Sequence, residues 1–171
     1  MIPRIFRRQP SPAAVSLYDQ IVAQARSPGF YRDYGVFDTL DGRFEMVVLH
    51  LFLLLDRLES AGDNGAALGQ QVFDRFCQDM DENLREIGIS DLKVPHEMRR
   101  VGEAYYGRAQ VYRAALRDRE KLTAALVRNA VEAAQPEAAS RLAAYMGQVA
   151  QLLAGQELGN FERGFVSFPD L

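Results

Sequence analysis

The sequence predicts an all-α fold: a single-domain bundle of about six helices, with an irregular aromatic loop and an extended C-terminal tail. Three observations carry this prediction. Apolar residues recur every three or four positions through most of the chain, which is the period of one helix face. From Met46 to Leu55 the chain is apolar apart from His50, and a helix apolar all round sits at the centre of its fold. No strand-length alternation of apolar and polar residues stands out elsewhere. At 171 residues the chain fits one domain and is long enough to bury a real core. Residues 1–12 read as a basic arm and residues 13–171 as the helical domain.

Each element has its own signal. Pro10 and Pro12 punctuate the arm, and Ser11 or Ser16 offers an N-cap for a helix over Ala13 to Ala25, with Leu17, Ile21 and Ala25 on one face. Ser27-Pro28-Gly29 ends that helix. Phe30 to Leu40 reads as irregular and aromatic, with a turn at Gly35. Asp38, Thr39 and Asp41 supply capping oxygens for a long helix ending near Glu59. Its apolar run rises about 15 Å, half the hydrocarbon thickness of a bilayer, so it is a core helix and not a membrane span. Ala61 to Gly65 reads as a loop.

The next helix is expected over Ala66 to Ile87, with Leu68, Val72, Phe76, Met80, Leu84 and Ile87 as its apolar stripe and Gly88 as the C-terminal glycine. Pro95 opens a further helix to about Leu116. Gly102 and Gly107 fall inside it, and close approach of a neighbouring backbone is the natural reason for two such glycines. Two shorter helices follow, Arg119 to Ala134 and Pro136 to Ala154, with Leu122, Leu126, Leu142, Tyr145, Val149 and Leu152 expected in the core. The closing residues GNFERGFVSFPDL read as an extended segment packed on the bundle.

Composition removes several function classes. Hydrophobic residues make up 48 %, ordinary for a soluble globular protein. A net charge of -3 gives no global nucleic-acid footprint. Cys77 is the only cysteine, so neither an intramolecular disulfide nor a cysteine-based zinc set is possible. A reducing compartment, the cytoplasm, is the simplest inference. The N-terminal arm has no apolar run and so lacks the form of a secretory signal. The arm reads as a loose terminal tail, or its Arg4, Phe6, Arg7 and Arg8 contact an anionic membrane, which would place the protein on the inner membrane face.

Few residues suit chemistry. No phosphate-binding glycine loop and no Ser/His/Asp order are present. His50 lies on the most buried helix and reads as a hydrogen-bonded core histidine; a haem or metal role would need further ligands. His96 is expected to be exposed, and Cys77, among aspartates, to be a half-buried inert thiol. Asp79, Asp81 and Glu82 form the best enzymatic candidate, because acidic residues on helices bind magnesium and diphosphate in all-α isoprenoid enzymes. Here the order is DMDEN, with no second cluster, and Asp81 points away from Asp79 and Glu82. A solvated or partner-facing acidic surface is the stronger reading. Tyr34 and Phe37, with Phe30 and Tyr31, either fold back on the bundle or form an apolar recognition patch.

Several motifs carry a resemblance. They are Tyr34-Gly35-Val36, the run Asp38-Thr39-Leu40-Asp41-Gly42-Arg43-Phe44-Glu45, Phe73-Asp74-Arg75-Phe76 through Asp79-Met80-Asp81, Leu84-Arg85-Glu86, and Gly102-Glu103-Ala104-Tyr105-Tyr106-Gly107-Arg108. Over about Ala13 to Arg128 the chain resembles the ubiquinol–cytochrome c chaperone family. The resemblance implies an all-helical, non-enzymatic assembly factor for the cytochrome bc complex, without a cofactor. Its expected partner is cytochrome b or another subunit of that complex. Mitochondrial members act with a small helper protein and contact the ribosome; the match does not extend either partner to this chain. The short length and the lack of a transit peptide look like a bacterial member. Candidate partner-binding residues are Tyr34, Phe37, Asp38, Asp41, Arg43, Phe73, Asp74, Asp79, Asp81, Glu82, Tyr105, Tyr106 and Arg108.

Overall fold

The computed structural model describes residues 9–131 and 136–171. The arm residues Arg4, Phe6, Arg7 and Arg8 lie outside them, as does the expected end of a helix at Ala134. Six long helices form the bundle: α1 (Pro12–Ala25), α3 (Leu40–Glu59), α4 (Asp63–Glu86), α5 (Val94–Ala115), α6 (Arg119–Asn129) and α7 (Pro136–Gly155). Two short ones complete it, α2 (Pro28–Asp33) and α8 (Leu158–Glu162). No strand occurs among the described residues; the one isolated bridge pairs Val36 with Val131.

The centre is α3, which packs against α1, α4, α5 and α7. That placement explains its all-round apolar sequence: every side chain from Met46 to Leu54 is buried. Each buried Leu, Val or Phe there contributes roughly 2 kcal/mol by leaving water. The helix begins where Thr39 caps it, its hydroxyl accepting from the Gly42 N–H at 3.1 Å. Gly42 is required by contact: a Cβ there would meet the Phe37 carbonyl oxygen at 1.9 Å. So the aromatic linker is folded down onto the first turn of the core helix.

Several expectations change in detail. The segment after α1 is not wholly irregular, because Pro28 starts the short helix α2 and Phe30 plugs the core from it. Helix α4 begins at Asp63, so the loop expected over Ala61 to Gly65 shrinks to a turn at Gly62. Helix α4 ends in a Schellman motif: Gly88, at φ +90°, donates to the Arg85 carbonyl and Ile89 to the Leu84 carbonyl, both at 3.0 Å. Ile87, expected in the stripe, is the C-cap and is 68 % exposed. Helix α6 stops at Asn129, while α7 is as long as α3 and not a shorter element. On α7 the core residue is Leu153; Leu152, expected inside, is 39 % exposed.

The glycines of α5 also correct the sequence reading. A Cβ at Gly102 or Gly107 would have nothing within 4 Å, so no neighbouring backbone among the described residues accounts for them. The tail is only partly extended, since α8 forms first and buries Phe161. Beyond it, side-chain amides do the work of a strand partner. Gln20 Nε2 donates to the Gly164 carbonyl at 2.7 Å, and its Oε1 accepts from the Val166 N–H at 3.2 Å. Gln156 makes the same reciprocal pair with Ser167, at 2.9 and 3.0 Å. Arg57 of α3 donates to the carbonyls of Leu153 and Gln156, tying the end of α7 to the central helix.

Candidate partner-binding site

Helices α4 and α5 form a hairpin whose base rests on α3. On its outer side they part, leaving an open groove of about 740 Å³. Small residues set its width: Ala66 and Gly69 on α4, Ala109 and Ala114 on α5. Leu55 of α3 also lines it. One wall is aromatic. Phe73 lies 5.0 Å from Tyr105 and 5.8 Å from Tyr106, centroid to centroid, and Tyr105 and Tyr106 lie 5.4 Å apart. Phe76 continues the cluster inward, 5.8 Å from Phe73. Tyr105 is buried and Tyr106 is 63 % exposed, so the wall runs from core to surface.

The groove is electrically quiet. Its charged lining residues, Glu59 and Arg113, bond one another at 2.8 Å, and Arg113 also holds Asp56 at 2.9 Å. Hydrogen bonding to Asp56 raises the Arg113 pKa above its ordinary value. Burial likewise pushes the Tyr105 hydroxyl well above the usual phenol range, so it stays protonated. What remains is a neutral trough with two amides, Gln70 and Gln110, at its edges.

The sequence candidates fall into separate places. Phe73, Tyr105 and Tyr106 meet in the groove. Arg108 points the other way and clamps Glu45 of α3, with Nη2 to Oε1 at 2.7 Å and Nε to Oε2 at 3.0 Å. Asp74 accepts from Gln70 at 2.9 Å. Asp79 faces α1, where it accepts the Tyr18 hydroxyl proton at 2.8 Å. Asp81 is held by Arg85, which also contacts Asp91, and Glu82 lies 3.7 Å from Arg75. The three acidic groups therefore do not converge, and no carboxylate or histidine set able to hold a metal occurs among the described residues.

The remaining candidates sit in the linker before α3 and in its first turn. Tyr34 is half-buried against Phe30 and Tyr145, at 5.5 and 6.1 Å. Phe37 is exposed beside the first turn of α3. Asp38 holds Arg43 at 2.9 Å, and Asp41 is exposed in that turn. The aromatics before α3 thus do both things considered: Phe30 and Tyr34 fold back, and Phe37 stays out.

His50 is a hydrogen-bonded core histidine, as expected. Its Nδ1–H donates to the Met46 carbonyl at 2.7 Å, which leaves Nε2 to accept from the Tyr145 hydroxyl at 2.8 Å. Burial pushes its pKa down to about 4. Both ring nitrogens are engaged, so the ring offers nothing to haem iron. His96 is exposed and Cys77 half-buried.

Sequence reasoning missed most of the groove lining and the Glu45–Arg108 pair. A signal existed for the first: Ala66, Gly69 and Phe73 fall at helical spacing on one face, a small-small-aromatic stripe.

Fold and groove define the class, an all-helical bundle that presents an open apolar trough. A sequence profile described as ubiquinol-cytochrome C chaperone matches residues 32–168. The chain belongs to this family, which is one of chaperones and assembly factors and not of enzymes. The ubiquinol-cytochrome-c reductase complex assembly factor 1 of Xenopus laevis is 25 % identical over 118 residues, 68 % of this chain. The chain spans 59 % of that relative's length. The crystal structure of the Cbp3 homolog from Brucella abortus superposes with a TM-score of 0.84 at 37 % identity, covering 99 % of this chain and 97 % of that one.

Proposed function

We propose that this protein is a non-enzymatic assembly chaperone for the ubiquinol–cytochrome c reductase complex, and that its α4–α5 groove holds an apolar segment of cytochrome b or of an early intermediate containing it. The observation that carries the reading is the groove itself. It is open, aromatic on one wall and lined by small residues, and its charges are already matched within the fold. A neutral apolar helix is the complement of such a trough. The lining spans Ala66 to Phe73 on α4 and Tyr105 to Ala114 on α5, about 11–14 Å of helix, or two to three turns. Family membership supports the ubiquinol–cytochrome c reductase complex as the target. The alternative of a diphosphate-binding enzyme finds no support, because Asp79, Asp81 and Glu82 are each tied to a different neighbour.

Tyr106→Asp tests the reading. Tyr106 is largely exposed and makes ring contacts only with Phe73 and Tyr105, so the variant should keep its melting temperature. Co-purification of cytochrome b in mild detergent should fall at least about tenfold, because a charge would be buried without a partner. Undiminished co-purification from the variant would remove the groove. Absence of cytochrome b from the wild-type preparation would remove the client.

A further inference from the structure

The groove between α4 and α5 has a neighbour across α4. There Ser11, Pro12, Asn64, Ala67 and Gln71 help to line a second cleft of about 690 Å³. The Ser11 N–H donates to Gln71 Oε1 at 3.0 Å, which pins the chain to this point of α4. Gln71 falls within the stretch from Ala66 to Phe73 that lines the groove. Residues 1–8 are therefore tethered level with the groove, one helix width away from it.

A low strip of α4 separates the two clefts. Asp63, Ala67, Gln70 and Asp74 recur at i, i+4, i+7 and i+11, which puts them on one helix face. Ala67 lines the cleft at Ser11, and Gln70 lines the groove. A carboxylate stands at each end of the strip. Asp63 is exposed, and Asp74 accepts from Gln70 at 2.9 Å. Neither is paired with a cation among the described residues.

The tethered segment has the matching chemistry in the matching order. Reading back from Ser11, Arg8 and Arg7 come first, then Phe6 and Ile5, then Ile2. A helix with its side chains is about 10–12 Å across, so the path around one side of it is about 16–19 Å. Five extended residues, Ser11 back to Phe6, cover about 17 Å. The arginines thus fall over the carboxylates of the strip, and the apolar residues arrive at the groove. A tether this short holds the segment at an effective concentration on the order of millimolar, so weak apolar contact is enough.

We propose that residues 1–8 cross α4 and lie in the α4–α5 groove of the client-free protein, with Arg7 and Arg8 on Asp63 and Asp74 and with Phe6, Ile5 and Ile2 against the Phe73–Tyr106 wall. The arm is then a cover for the groove. That a client must displace it rests on the proposed function; the docking itself does not.

Paramagnetic broadening in the full chain tests the docking. Two nitroxide-labelled proteins are compared, both with Cys77→Ala: one carries the label on Gln110→Cys at the groove edge, the other on Ala23→Cys on the outer face of α1. Ala23 is about 16 Å along α1 from Pro12, so a freely sweeping arm meets both labels. The Gln110 label should remove at least about half the amide signal of Ile2, Ile5 and Phe6, and the Ala23 label should leave it. Ile5→Ser with Phe6→Ser should restore the signal, and Asp74→Asn should restore part of it. Equal broadening from the two labels would overturn the proposal, as would full signal with the groove label. Arm signals untouched by the groove label but lost on adding phosphatidylglycerol vesicles would assign the arm to a membrane instead. No client enters this measurement, so its result is independent of the cytochrome b co-purification that tests the proposed function.

Discussion

At the residue scale, His50 shows how a core fixes a protonation state. The ring lies between α3 and α7, with Phe30, Tyr145 and Phe168 around it at 5.4–5.6 Å. Its hydrogen bonds need one protonated nitrogen and one bare nitrogen, and a second proton would break the bond from Tyr145. An unfolded chain takes that proton near 6.5, the folded chain only near 4. Between those values the unfolded state binds more protons, so stability is full above 6.5 and falls as pH drops through the window. The difference is on the order of 3 kcal/mol across the whole window. Urea unfolding should therefore show a loss of about 2 kcal/mol between about pH 7 and pH 5 from this residue. His50→Leu should flatten that slope, whatever its stability at neutral pH. An unchanged slope would mean that other groups carry the acid sensitivity.

At the element scale, α5 is the odd helix. Its interior glycines weaken it, and nothing among the described residues fills the space they leave. Gly102→Ala should accordingly stabilise the protein by roughly 0.5–1 kcal/mol, a rise of about 1–4 °C in melting temperature. A fall in melting temperature would show that the space is not open. Gly102 stands one turn before Tyr105 and Tyr106, so the same variant asks whether a client approaches there. Reduced cytochrome b capture with raised stability would separate function from folding at this position. Helix α4 is divided along its length. Its buried residues run from Gly65 to Phe76, and past Phe76 only the partly buried Cys77 and Met80 pack against the core.

At the scale of the whole molecule, the Glu45–Arg108 pair joins the hairpin to the central helix. Glu45 is 8 % exposed and Arg108 28 % by side chain. Bidentate hydrogen bonding to Glu45 raises the Arg108 pKa, and among the described residues the buried carboxylate has no other cation in reach of a hydrogen bond. Arg108→Met leaves that carboxylate buried and alone, and should cost about 2–4 kcal/mol. Glu45→Gln in the same chain should recover part of the loss. A double-mutant cycle in urea that returned a coupling below about 0.5 kcal/mol would demote the pair to an ordinary surface contact.

What the sequence determined by itself was local or periodic. The apolar run from Met46 to Leu55 announced a central helix because no one-sided burial accommodates it. Thr39, Gly88 and Pro95 announced helix ends because caps act within one turn. His50 announced itself as core because a lone polar group in such a run must find partners nearby. Tertiary structure alone decided which motifs meet. Glu45 and Arg108 both stood in recognisable motifs, 63 positions apart, and no local rule joins them. The same holds for Asp79, which the sequence offered to a partner and the fold tied to Tyr18 across 61 positions. The groove was the least legible feature. It arises from where two helices part, and that depends on side chains packed beneath them on a third.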